Sequence, residues 1–147
     1  VTTSVSHTLA AGKTDLTATG SASISLTGNT GNNTITGGAD RDAFVFDTKP
    51  NAMSNRDEIV DFNPAYDSIW LDNAVFAKPG SASQPATLNK DYLALGTRAK
   101  DDNDFIVYDQ KTGKLFCDAD GSGRGAAVQI AVLSKGLALT SEHFFLV

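Results

Sequence analysis

Two nine-residue units stand back to back in this chain, Gly28-Asn-Thr-Gly-Asn-Asn-Thr-Ile-Thr36 and Gly37-Gly-Ala-Asp-Arg-Asp-Ala-Phe-Val45. Each opens on a turn rich in Gly and Asn or Asp and closes on a short β-prone triplet around one apolar residue, Ile35 or Phe44. Glycine tolerates the positive φ that a tight reversal needs, and Asn and Asp bond their own turn backbone. A chain built this way folds as turn, strand, turn, strand, with Ile35 and Phe44 stacked inward. Its turn carbonyls and sixth-position carboxylate are hard oxygens, which suit calcium, an ion that takes six to eight of them. The first unit carries Asn33 at the sixth position and so supplies no charge there, whereas the second keeps Asp42 but has Asp40 in place of a glycine. Leu26, one unit before Ile35, extends the pattern upstream.

The predicted fold class is all-β: a short parallel β-roll over residues 1–48, continuing into an antiparallel β meander or sandwich over residues 49–147, in a single domain. Leu9-Ala-Ala-Gly12, Leu16-Thr-Ala-Thr-Gly20 and Ile24-Ser-Leu26 read as degenerate turns of the roll. Beyond it, strands are expected at 58–62, 68–71, 105–108, 114–117, 127–133 and 144–147, with a polar loop at 77–90. Lys90-Asp-Tyr-Leu-Ala-Leu95 is the best helix candidate.

The net charge of −5 argues against nucleic acid or an anionic membrane surface as partner and suits a protein that collects cations. No apolar run approaches the ~20 residues of a membrane span. The start, Val-Thr-Thr-Ser-Val-Ser, lacks the basic and apolar regions of a signal peptide, and its lack of Met suggests a fragment of a longer protein. Cys117 is the single cysteine, sits in an apolar strand pattern and reads as a buried structural thiol.

The order of motifs resembles a known family. After the second nonapeptide and Phe46 come Asp57-Glu-Ile-Val-Asp-Phe62, Asp67-Ser-Ile-Trp-Leu71, Ile106-Val-Tyr-Asp-Gln-Lys-Thr-Gly113 and Leu115-Phe-Cys-Asp-Ala-Asp-Gly-Ser-Gly123. The chain closes on Ala126-Ala-Val-Gln-Ile-Ala-Val-Leu133 and Phe144-Phe-Leu-Val147. Across residues 28–147 this is similar to the C-terminal region of RTX (hemolysin-type calcium-binding) proteins of Gram-negative bacteria, also found behind serralysin-type proteases. The resemblance implies type I secretion guided by an uncleaved C-terminal signal, passage unfolded, and folding on calcium outside the cell. The implied partners are calcium and the type I secretion machinery. Glu142 followed, after an intruding His143, by Phe144, Phe145, Leu146 and Val147 matches the family's acidic-then-apolar signal loosely. The same tail also reads as a last core strand.

In the family, one turn pairs with the next turn on the same side, and successive nonapeptides alternate sides. The resemblance therefore implies that the turn at 37–42 needs a downstream partner, and Asp57, Asp61 and Asp67 are the nearest acids. The expected site uses Asp42, the carbonyls of Gly38 and Asp40, and Asp57 or Asp61, with turn capping as the other reading of Asp57 and Asp67. Asn33 contributes weakly or not at all. Asp118 and Asp120 open a loop like the start of an EF-hand, but its twelfth position is Gln129, and a simple hairpin turn explains it as well.

His7 and His143 are the two histidines, and neither belongs to a nucleophile or zinc motif. No enzymatic activity is expected of this chain. The rival reading is a calcium-stabilised carbohydrate-binding or adhesive β-domain, with Tyr66, Trp70, Tyr92 and Tyr108 as a stacking platform, although core packing accounts for Trp70 within Ile69-Trp-Leu71.

Overall fold

Short Thr-, Ile-, Val- and Phe-rich runs bounded by Gly, Asn and Asp make strands of two to five residues, because the glycines and Asx residues stop pairing at each turn. A computed structural model describes residues 1–79 and 85–147, so residues 80–84 of the 77–90 loop lie outside the described residues. The chain is nearly all β, with parallel and antiparallel pairing. Its strands are β1 Thr2–Thr3, β2 His7–Thr8, β3 Asp15–Ala18, β4 Ser25–Thr27, β5 Thr34–Thr36, β6 Ala43–Phe46 and β7 Asp57–Ile59. They continue as β8 Ser68–Leu71, β9 Ala86–Thr87, β10 Leu93–Leu95, β11 Ile106–Asp109, β12 Lys114–Cys117, β13 Val128–Val132 and β14 Phe144–Leu146.

Consecutive strands from β1 to β8 alternate between two sheets. An eight-stranded sheet runs β1-β3-β5-β7-β13-β12-β11-β10, and a six-stranded sheet runs β2-β4-β6-β8-β14-β9. Pairing is parallel from β1 to β7 in the first sheet and from β2 to β8 in the second. The two nonapeptides therefore place their strands, β5 and β6, in different sheets. Parallel pairing continues past residue 48: β13 joins β7 and β14 joins β8, both in parallel, so the C-terminal third completes the same two sheets. The antiparallel part is β11, β12 and β13 in the first sheet and β9 on β14 in the second.

The apolar residues form columns across the register. Leu26, Phe44 and Ile69 are matched in β4, β6 and β8, and Phe144 in β14 adds a fourth. Opposite them, Leu16, Ile35 and Ile59 are matched in β3, β5 and β7. All seven are fully buried or nearly so. Phe44 also packs on Phe62 at a tilt, with ring centroids 5.9 Å apart.

Three expectations are corrected. Lys90–Tyr92 is one 3-10 turn and Leu93–Leu95 is a strand, because Leu93 to Leu95 find a parallel partner in Ile106 to Tyr108. Trp70 is not a core residue: strand alternation buries Ile69 and Leu71 and turns Trp70 outward, half-buried. Tyr108 is fully buried and its hydroxyl donates to the Ser134 carbonyl at 2.7 Å, while Tyr92 packs edge-on against Phe105, so neither joins Trp70 in a platform. Cys117 is half-buried, and burial, with Asp118 beside it, pushes its thiol up to about 11. Among the described residues no helix is long and apolar enough to cross a membrane.

Candidate metal centre

Each tight turn leaves main-chain N–H groups that no strand neighbour takes, and acidic side chains supply the acceptors. In the six-stranded sheet, Ile24, Asp42 and Asp67 stand immediately before β4, β6 and β8. Asp42 Oδ1 accepts the Ile24 N–H at 3.1 Å, and Asp67 Oδ1 accepts the Asp42 N–H at 3.1 Å. Asp67 Oδ2 takes the Asn63 N–H at 2.8 Å. In the eight-stranded sheet the equivalent step is Asp57 Oδ1 accepting the Asn33 N–H at 3.0 Å. Asn33 Oδ1 in turn accepts the Asn29 N–H at 2.7 Å.

The structure thus divides the residues singled out from sequence. Asp42 goes with Asp67. Asp57 goes with Asn33 in the other sheet, not with Asp42, because strand register rather than proximity in sequence chooses the neighbour. Asp61 clamps the turn before Asp42, accepting from Gly37 N–H at 2.8 Å and Gly38 N–H at 2.6 Å. Asp118 and Asp120 serve the hairpin between β12 and β13: Asp118 Oδ1 accepts the Asp120 N–H at 3.4 Å and Asp120 Oδ2 accepts the Gly125 N–H at 2.8 Å.

One atom breaks the pattern. Asp42 is 1% exposed, and its Oδ2 is buried with no hydrogen-bond partner. Burial raises the Asp42 carboxyl above the usual carboxylate range; the Ile24 N–H opposes this, and Asp67, Asp61 and Asp40 push it further up. Asp67 is raised too, by burial first and by Asp61, against the bonds from Asn63 and Asp42. An orphaned acceptor among other carboxylates is a place where positive charge is wanted. Gly37 makes room for that oxygen itself: a Cβ there would stand 2.9 Å from Asp42 Oδ2 and 2.8 Å from the Phe44 ring. Gly28 stands in the same relation to the other pair, with Asn33 Oδ1 at 2.6 Å and Asp57 Oδ2 at 2.8 Å from its missing Cβ. The first residue of each nonapeptide is thus glycine because the sixth packs against it.

Among the described residues no three His, Cys, Asp or Glu side chains are gathered as a metal-holding group. Any ion at Asp42 would therefore draw on main-chain carbonyls, which calcium accepts readily and zinc does not. The one orphaned carboxylate oxygen is a hard donor of the kind calcium takes; the rest of the six to eight ligands would have to come from neighbouring turn oxygens.

Asp40 stands at φ +85°, the left-handed region where glycine is easiest. Asp40→Gly is expected to raise stability by roughly 0.5–1 kcal/mol, since it relieves this conformation and removes a charge that disfavours ionised Asp42. A urea titration in calcium-free buffer checks it through an upward shift in midpoint at constant slope.

The C-terminal tail closes over this region. Strand β14 lies between β8 and β9, with Phe144 and Leu146 buried and Glu142 exposed at its start. His143 Nδ1 accepts the Thr140 N–H at 2.9 Å, so Nε2 carries the proton and donates to the Pro64 carbonyl at 3.0 Å. The residue that interrupts the acidic-then-apolar tail therefore pins it to the turn that carries Asp67. Sequence reading missed this, because nothing in the sequence places residues 64 and 143 together.

No protein-family model matches the chain, and no curated protein matches it.

Proposed function

We propose that this chain is a non-catalytic, calcium-binding C-terminal domain of the RTX type, a short β-roll that folds on calcium outside the cell after type I export. The observation that carries this reading is the buried, partnerless Asp42 Oδ2, lying in the better preserved of two adjacent nonapeptides and faced by Asp67. The alternation of parallel strands between two sheets supports it, since stacked turns then fall on two sides, each with its own row of oxygens. We assign Asp42, Asp67 and the turn carbonyls of Gly38 and Asp40 as the residues that hold the ion. Bound calcium supplies the positive charge that the Asp42 turn lacks. Asp61 holds the 37–38 turn in shape, and Asp57 with Asn33 forms a cation-free equivalent on the other sheet.

The export signal we assign to Glu142, Phe144, Phe145, Leu146 and Val147. Phe144 and Leu146 are buried in the folded chain, so such a signal is read before folding. Calcium binds the folded state, so it raises stability by mass action, by about 2.7 kcal/mol at a hundredfold excess over its dissociation constant. Circular dichroism of the isolated chain under calcium titration tests the reading. A larger β signal or a higher melting temperature is expected at or below the low-millimolar range, and a flat response that Asp42→Ala leaves equally flat overturns it. Export is tested separately: removal of residues 142–147 is expected to retain the protein in the cytosol of a host with a type I apparatus.

A further inference from the structure

The outer face of the six-stranded sheet carries a groove of about 650 Å³, within the size range of small-ligand sites. Its floor is aromatic. Trp70 and Phe145 are register partners in the parallel strands β8 and β14, and each stands between two buried neighbours, so both point outward. Adjacent strands lie about 4.8 Å apart, which brings the two half-buried side chains together as one apolar platform. The indole is fixed from within: Trp70 Nε1–H donates to Ser68 Oγ at 3.0 Å. Its single polar group is thus consumed inside the protein and its ring is left as an apolar surface.

The rim is polar and free. Tyr66 is 57% exposed on the turn before Asp67, and Arg41 and Glu142 are exposed beside the groove. The Tyr66 hydroxyl, the Arg41 guanidinium and the Glu142 carboxylate bond no other described residue. Against the single Arg41 stand Glu142 on the rim and Asp42 and Asp67 in the wall, so the groove has no surplus of positive charge for an anionic ligand. It offers five N–H donors, carboxylate acceptors and a phenol that does both, a set matched by a ligand bearing many hydroxyls. Two other occupants fit worse. An extended peptide adds to an open strand edge, but β8 is hydrogen-bonded on both sides, by β6 and β14. A nucleic acid needs a surplus of positive charge, which a rim of one Arg and one Glu does not provide.

We propose that this groove binds a neutral saccharide chain, seating a pyranose ring on Trp70 and Phe145 with its hydroxyls bonded to Arg41, Glu142 and Tyr66. The groove shares Asp42 and Asp67 in its wall with the calcium reading, but the groups assigned to the sugar are other residues, so the two readings are tested apart.

Trp70 is the single tryptophan of the chain, so its emission reports the groove directly. The test titrates the full chain with cellohexaose, mannohexaose and chitohexaose, with polygalacturonate as an anionic control, in calcium and again in EDTA. At least one neutral hexasaccharide is expected to change Trp70 emission saturably. Tyr66→Ala and Arg41→Ala are expected to weaken that binding at least about fivefold, which corresponds to about 1 kcal/mol. Both residues are exposed, so melting curves of the variants should overlay the parent, and circular dichroism confirms that they fold. Silence with all three neutral sugars, a response to polygalacturonate alone, or saturation unchanged in both variants overturns the proposal. A chain that binds sugar equally in calcium and EDTA, with a melting temperature indifferent to calcium, upholds this site while defeating the calcium reading.

Discussion

In calcium-free buffer the melting temperature is expected to rise as pH falls from 8 to 5, the reverse of ordinary acid destabilisation. Asp57 dominates the effect. It is 4% exposed, and burial pushes its carboxyl up to about 7, against the opposing bond from the Asn33 N–H. A carboxyl whose folded pKa lies above its unfolded value takes up a proton on folding between those two values. Stability is therefore highest below about pH 4, falls as pH climbs, and reaches its floor once the folded group ionises above about pH 7. Asp42, Asp67 and Asp118 are raised as well and act in the same direction, whereas Asp109, lowered chiefly by its bond from the Thr112 hydroxyl, acts weakly against them.

For Asp57 the cost of ionising in place is on the order of 4 kcal/mol at pH 8. Asp57→Asn is expected to recover much of it, by roughly 5–10 °C in melting temperature at pH 8, and to flatten the pH profile. Asparagine keeps an oxygen for the Asn33 N–H, and Asn33 itself already occupies the equivalent place one strand away. Thermal melts of both proteins at pH 5, 6, 7 and 8 in EDTA check this. A parent that gains stability steadily up to pH 8, or a variant less stable than the parent at pH 8, contradicts it.

The second large effect belongs to the core. Phe44→Ala is expected to lower stability by about 4 kcal/mol, a large share of what a domain of this size commands. Phe44 is fully buried in the column that joins β4, β6, β8 and β14, and it packs against Phe62. Its loss opens a cavity where the parallel parts of the two sheets and the C-terminal strand meet. Urea unfolding is the measurement, with a lower midpoint at unchanged slope as the expected result. A cost under 1 kcal/mol would show that Phe44 is not the keystone of that column.

Strands β4, β5 and β6 were legible because their apolar residues, Leu26, Ile35 and Phe44, sit one nonapeptide apart. The hairpin strands 114–117 and 127–133 were legible from their bounding turns. What failed were properties set by pairing between distant strands. Residues 47–56 break the nine-residue count, so the chain offers no way to decide whether Asp57, Asp61 or Asp67 faces Asp42. That choice is made by the Asp42–Asp67 and Asn33–Asp57 registers. The orientation of Trp70 was available, since two buried positions separated by one residue force the middle side chain outward. Its company in Ile69-Trp-Leu71 concealed this by making the whole triplet look apolar. The orphaned oxygen of Asp42 was not legible at all, because whether a turn acid finds a donor depends on the turn stacked against it.

Calcium titration by calorimetry at pH 7.5, run on the parent chain and on Asp42→Asn, Asp67→Asn and Asp57→Asn, tests the central claim most directly. The parent is expected to bind calcium with a dissociation constant at or below the low-millimolar range. Asp42→Asn and Asp67→Asn are expected to lose at least about tenfold in affinity, equivalent to about 1.4 kcal/mol, while Asp57→Asn keeps it. Loss of binding in Asp57→Asn with binding intact in Asp42→Asn would contradict the assignment of the ion to the Asp42 turn, and a parent chain that binds no calcium would contradict the proposed function itself.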